Sequence, residues 1–221
     1  MSKKELPYYT KGEEIFNAVS HIVGGAFGIV ALILSIIFGV KYDHYNLEMM
    51  SIIIYGLSIT ILYTMSSIYH FLHRNKAKKV FRIFDHCTIY LLIAGTYSPI
   101  CLIALKDSIW GTIIFFTVWF LAIIGITFNA INMYWKAVKI ISMVLYVAMG
   151  WCIIIALFPL LEIVPIAGFW WLLAGGLAYT FGLIFYGLGK KIKYMHAIWH
   201  LFCLLGTIFQ FVGIFSYIIC A

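Results

Sequence analysis

The chain has 221 residues, of which 64% are hydrophobic and only 10% charged. That balance excludes a water-soluble globular domain and makes the bilayer the solvent of most of the surface. The formal net charge of +7 does not point to nucleic acid, because the basic residues sit in short segments between apolar runs, where they act as topology signals.

Apolar runs of spanning length fall at about 15–40, 48–72, 83–105, 109–129, 137–158, 166–188 and 196–219. Each meets the requirement of roughly 20 residues, at about 1.5 Å rise, for a hydrocarbon core about 30 Å thick. The expected fold is therefore all-α, a single seven-helix transmembrane domain over residues 1–221. The first run is too long for the apolar core of a cleavable signal peptide and is expected to stay as an anchor. Only "KDS" (106–108) separates the third and fourth runs, and "PLLEIVP", with its two prolines, is expected to break the fifth from the sixth.

Basic residues orient the spans. Lys3, Lys4 and Lys11 precede the first; Arg74, Lys76, Lys78, Lys79 and Arg82 fall between the second and third. Lys136 and Lys139 join the fourth to the fifth, and Lys190, Lys191 and Lys193 join the sixth to the seventh. Only Lys41 and Lys106 lie on the opposite side. The N-terminus is thus expected in the cytoplasm and the C-terminus outside, inverted relative to G-protein-coupled receptors.

With that orientation, scattered polar residues become a layer. The first span enters with "EEIFNAVSH", which puts Glu14, Asn17 and His21 on one stripe. The second ends "SSIYHFLH", so Ser66 and His70 share a face one turn apart; the third opens with Asp85 and His86. The seventh opens with His196 and His200 and continues through Cys203, Thr207 and Gln210. Lipid satisfies none of these groups, so the stripe must face the bundle interior or a wet cavity. Four helices thereby bring ionisable side chains to one depth in the inner leaflet.

For several of these residues a plain structural role competes. His44 and His73 read as interfacial, and His86 as a packing or supporting residue. Glu14 and Asn17 are able to cap the first helix, and Cys203, Thr207 and Gln210 to serve interhelical packing. The five cysteines lie in apolar segments without a CxxC spacing and suggest neither a disulfide framework nor a thiolate zinc site. His70, His196 and His200 stand apart, because they are expected to meet one another beside Asp85. Three neutral imidazoles form a competent Zn²⁺ set with a fourth position open for water. Asp85 is placed to orient or deprotonate that water, and Ser66 to hydrogen-bond a developing oxyanion. The glutamate of HExxH is missing from His196-Ala197-Ile198-Trp199-His200, which excludes a zincin protease.

The ordered set E-x-x-N-x-x-x-H (Glu14, Asn17, His21), S-x-x-x-H (Ser66, His70), Asp85 and H-x-x-x-H (His196, His200) resembles the hemolysin III proteins. These are the bacterial branch of the progestin and adipoQ receptor family. The resemblance implies a seven-helix bundle with the N-terminus inside and zinc held by His70, His196 and His200. It places Asp85 near the zinc-bound water, matches Ser66 to the family's serine, and leaves Glu14, Asn17 and His21 as supporting residues. Related membrane proteins include alkaline ceramidases, so the implied activity is hydrolysis of a lipid amide or ester. The partner is then a membrane lipid, and the location an inner or plasma membrane. The long N-terminal region of the eukaryotic receptors is not matched before Ile15, and the outer loops are short, so binding of a protein hormone is not expected. A cytolytic or pore-forming role, or a non-catalytic sensor of membrane state with structural zinc, are the alternatives. A homo-oligomer is compatible with the small-residue helix faces.

Overall fold

The computed structural model describes residues 6–189 and 191–221; Lys3, Lys4 and Lys190 lie outside the described residues. Seven helices are long and apolar enough to cross a membrane: α1 (Lys11–Lys41), α2 (Leu47–Phe71), α3 (Lys76–Ala104), α4 (Ile109–Asn132), α5 (Lys136–Ile163), α6 (Ile166–Leu188) and α7 (Met195–Ile219). No strand occurs among the described residues. The chain is an all-α, multi-pass membrane protein, and its exposed large side chains, such as Ile29, Phe116 and Phe181, are those of a surface solvated by lipid.

Helix ends differ from the apolar runs for local reasons. The first helix begins at Lys11 because Thr10 and Glu13 form a capping box: the Glu13 amide donates to Thr10 Oγ1 at 3.3 Å and the Thr10 amide to Glu13 Oε2 at 2.8 Å. The cap is Thr10 with Glu13, and neither Glu14 nor Asn17 is needed for it. The third helix begins at Lys76, not near residue 83, because Asn75 Oδ1 accepts from the Lys78 amide at 2.9 Å. Most of the basic stretch between the second and third runs is therefore the first turns of a helix.

The prolines also act differently from the expectation. Pro159 does not end the fifth span. It sits in the helical segment Leu157–Ile163, after a 3₁₀ stretch at Cys152–Ala156, near a helix start where a missing N–H costs little. Pro165 alone marks the break, at the N-cap of α6. In α3, Pro99 is followed by a π-turn at Ile100–Ala104, closed by the Leu105 amide on the Ile100 carbonyl at 2.9 Å.

Packing is most extensive between α1 and α2, α2 and α3, and α6 and α7. Backbones approach closely at small residues: a Cβ on Gly28 would lie 2.9 Å from the Thr60 backbone nitrogen, and one on Gly56 would lie 2.7 Å from Leu32 Cα. By contrast α5 and α6 touch little, although they follow one another in sequence. Trp151 Nε1 donating to Thr180 Oγ1 at 3.1 Å bridges them. At the end opposite the basic one, His44 is buried rather than interfacial. Its ring nitrogens lie 2.6 Å from Glu48 Oε2 and 3.0 Å from the Ile219 carbonyl, and Lys106 Nζ donates to the other Glu48 oxygen at 2.9 Å.

Gly28 tests the close packing of α1 on α2. Gly28→Val forces the side chain against backbone rather than a flexible neighbour, and is expected to destabilise by about 1–3 kcal/mol. A lowered thermal midpoint in detergent checks this, with Gly150→Ala, where nothing lies within 4 Å, as the control expected to leave it unchanged.

Candidate metal centre

The site forms where α1, α2, α3 and α7 meet at the basic end of the bundle. By helical spacing His196 and His200 lie one above the other on α7, and their Nε2 atoms are 3.2 Å apart. His70, in the last turn of α2, completes a set whose ligand atoms all lie within 4.8 Å of one another. Three histidines from two helices are thus placed so that they could hold one metal ion. His70 and His200 are buried and His196 half-buried.

Each ring is oriented by a neighbour. The Glu14 carboxylate can only accept, so at 2.8 Å from His70 Nδ1 its Oε2 places the proton there. His70 Nε2 is left buried without a hydrogen-bond partner, in a ring whose centroid lies 5.4 Å from that of His196 and 4.9 Å from that of His200. His200 Nδ1 donates to the Asn17 carbonyl at 3.3 Å, which likewise frees Nε2. Oriented imidazoles whose second nitrogen is anchored to a carboxylate or carbonyl are the usual form of metal-binding histidines. Asn17 is fully buried and contributes mainly through this carbonyl, its amide nitrogen lying 3.4 Å from His70 Nδ1. His21 stands parallel to His200, with centroids 3.7 Å apart and a 13° interplanar angle, and meets Tyr63 edge-on. Both its nitrogens lack partners, so it supports His200 by stacking.

Asp85 and Ser66 line, together with His196 and His200, a cavity of about 160 Å³. Asp85 Oδ2 lies 3.4 Å from His86 Nδ1, which also donates to the Arg82 carbonyl at 3.0 Å. Ser66 Oγ is buried beside the Asp85 carboxylate. The cavity leaves the histidines and runs along α3, α5, α6 and α7 past Thr96, Tyr146, Tyr179 and Leu183 to Gln210. Cys203 and Gln210 of the polar stripe reach it. Thr207 is taken up in packing, between the Tyr63 hydroxyl at 2.6 Å and the Tyr179 hydroxyl at 2.7 Å.

Three parts of the site escaped the sequence reading. Lys78, counted there among the topology signals, is 1% exposed and donates to Glu14 Oε1 at 2.7 Å. Glu13 does more than cap α1: its Oε1 accepts at 2.7 Å from the amide of Tyr194. That residue holds a left-handed φ of 63° just ahead of α7, an unfavourable conformation for a bulky side chain. The third part is the segment before α1. Tyr9 stacks on His196 at 4.9 Å and 20° and leans on His70 at 5.8 Å. Burial, with Tyr186 nearby, pushes its phenol above the ordinary range. Arg74 clamps this strap over the site, donating to the Pro7 carbonyl at 2.8 Å and the Leu6 carbonyl at 3.1 Å. A segment outside the helices carries no periodicity from which this contact could be read.

Residues 9–211 match the family model described as "Haemolysin-III related". The chain belongs to the haemolysin III-related family. It is 41% identical to Hemolysin-3 of Bacillus cereus over 94% of this chain and 92% of that protein. It is 40% identical to the Hemolysin-3 homolog of Bacillus subtilis (strain 168), over 95% and 96% of the two chains. A more distant likeness, 25% over 75% of this chain and 69% of the relative, links it to the human monocyte to macrophage differentiation factor. That protein is of the progestin and adipoQ receptor type, so the resemblance read from the motifs holds at the level of the family. The triad, Asp85 and Ser66 all lie within the matched region of this haemolysin III-related chain.

The clamp on the strap is directly testable. Arg74→Gln removes both carbonyl contacts, each worth about 1 kcal/mol. Limited proteolysis next to Tyr8 and Tyr9 is expected to accelerate by roughly tenfold or more, with α3 left intact.

Proposed function

We propose that the protein is a zinc-dependent hydrolase of a membrane lipid amide or ester, working at the inner-leaflet depth of a cell inner or plasma membrane. The observation that carries this reading is that His70, whose Nε2 is buried and partnerless, offers a ligand atom within 4.8 Å of those of His196 and His200, beside an apolar cavity that Asp85 also lines. Two nitrogens bound tetrahedrally at about 2.0–2.1 Å stand about 3.3 Å apart, close to the 3.2 Å between His196 and His200. The donor set, three neutral imidazoles and no thiolate, suits zinc with one position left open. Zinc held there supplies Lewis acidity that activates water at neutral pH.

The remaining steps belong to the chain. Asp85 accepts the proton of the attacking water and returns it to the leaving amine or alcohol, the ordinary double duty of a carboxylate in hydrolysis. Ser66 Oγ, buried beside the Asp85 carboxylate, turns its proton to the carbonyl oxygen as charge develops on it. The apolar reach of the cavity between Leu183 and Ile93 accommodates an acyl chain. Because α5 and α6 touch little along their length, a lipid reaches the cavity sideways from the bilayer. No nucleic acid and no protein hormone enters this scheme, and a homo-oligomer is not required by it.

Cytolysis, suggested by the names of the Bacillus relatives, makes a different prediction, because a conducting pathway does not need the triad. The purified protein is expected to carry stoichiometric zinc that His196→Ala loses, and Asp85→Asn is expected to keep the metal while hydrolysis of an N-acyl or O-acyl lipid falls at least a hundredfold. Unchanged zinc in His196→Ala would sink the site. Liposome conductance that survives His200→Ala would favour the cytolytic reading. Zinc without turnover of any lipid, its removal lowering thermal stability, would favour a structural metal in a membrane sensor.

A further inference from the structure

A lysine ammonium is seldom buried completely unless every proton finds an acceptor. Lys78 is 1% exposed, and its Nζ donates to Glu14 Oε1 at 2.7 Å, the Leu72 carbonyl at 3.0 Å and the His70 carbonyl at 3.4 Å. Nζ also stands 5.0 Å from the ring centroid of Tyr69. The three acceptors leave it no freedom of direction. Two of them are carbonyls at the end of α2, where the last turn of a helix has no partners of its own. The third is the carboxylate that orients His70. Topology alone asks nothing of this kind: a lysine marking the cytoplasmic side works best in water.

We infer that Lys78 is a positioning residue for the His70–His196–His200 centre, acting through Glu14; this rests on the metal reading proposed above. The Glu14 side chain has three rotatable bonds and is 19% exposed, so one hydrogen bond to His70 does not fix it. With Oε1 held by Lys78 and Oε2 on His70 Nδ1, the carboxylate is anchored at both oxygens. The imidazole is thereby locked with Nδ1 on Glu14 and Nε2 left free for a metal. The bonds to the carbonyls of Leu72 and His70 aim the ammonium at that carboxylate. Asn75, capping α3 through the Lys78 amide, sets the origin from which the lysine reaches back.

A residue acting through Glu14 differs measurably from one that only caps α2. Zinc affinity of the purified full-length protein in detergent is read by competition with a chromogenic chelator, for wild type, Lys78→Met, Glu14→Gln and the double variant. The thermal midpoint of each metal-free form is measured alongside. Lys78→Met and Glu14→Gln are each expected to weaken zinc about tenfold or more, the usual effect of losing a group that orients a metal ligand. In the Glu14→Gln background, Lys78→Met is expected to weaken zinc by no more than about twofold further, because the path through the carboxylate is already broken. Unchanged affinity in Lys78→Met overturns the inference, and so does a double variant whose loss is the product of the two single losses. Lys78→Gln, which retains a donor for the α2 carbonyls, replaces the methionine variant if that does not fold. A wild type that takes up no zinc defeats the metal reading itself, an outcome distinct from a zinc-loaded wild type that Lys78→Met matches.

Discussion

The shared carboxylate of Glu14 is the contact on which the basic end of the bundle is organised. A charge at the membrane boundary is tolerated only when opposite charge or full hydrogen bonding replaces the water it loses. Lys78 and His70 provide that replacement from two other helices, at 2.7 and 2.8 Å. One carboxylate therefore ties the first turn of α1 to the last of α2 and the first of α3. The neighbouring Glu13 extends the tie to α7 through the Tyr194 amide. Two adjacent acidic residues, pointing different ways around α1, bind the four helices that carry the site.

Between α1 and α2, away from that end, the bundle is held by shape. Glycines on α1 and α2 let the backbones close up, and hydroxyls such as Ser58 and Thr60 return their hydrogen bonds to their own helix at 2.7 and 2.9 Å. Such packing is uniform and leaves little room for adjustment. The α5–α6 seam is different, with little direct contact and a cavity behind it. The rigid part of the molecule thus carries the oriented histidines, and the looser part walls the apolar space. The fourth helix contributes no residue to the cavity; its network, Asn129 donating to Ser142 Oγ at 2.9 Å and to the Gly125 carbonyl at 3.0 Å, supports α5 from outside.

Much of this was legible in the residues. Spans follow from apolar length, and His196 and His200 declare a shared face by spacing. The side on which polar groups collect follows from where the lysines are. The same inside-positive count concealed Lys78, because it treats every lysine as solvated, and burial depends on which neighbours supply acceptors. Glu13 and Glu14 are indistinguishable in composition, yet about 100° of helical rotation sends one to Thr10 and Tyr194 and the other to Lys78 and His70. Pro159 looked like a break because a proline in a loop and a proline in a first helical turn obey the same local rule. Tyr9 lies in an extended strap, for which no periodicity exists.

The strap and the seam bear together on how a hydrolase of this form would be fed. Tyr9 covers His196 and His70 from the basic end, and Arg74 holds the strap there. A soluble substrate arriving from that side would have to displace an aromatic stack and two carbonyl hydrogen bonds before meeting the triad. A lipid arriving through the sparsely packed α5–α6 seam would have to separate the Trp151–Thr180 contact at 3.1 Å. Losing one neutral hydrogen bond costs about 1 kcal/mol, and the acyl chain regains apolar contact inside. The covered face and the loosely joined one therefore favour the same substrate class, because the cheaper opening is the one that faces the bilayer.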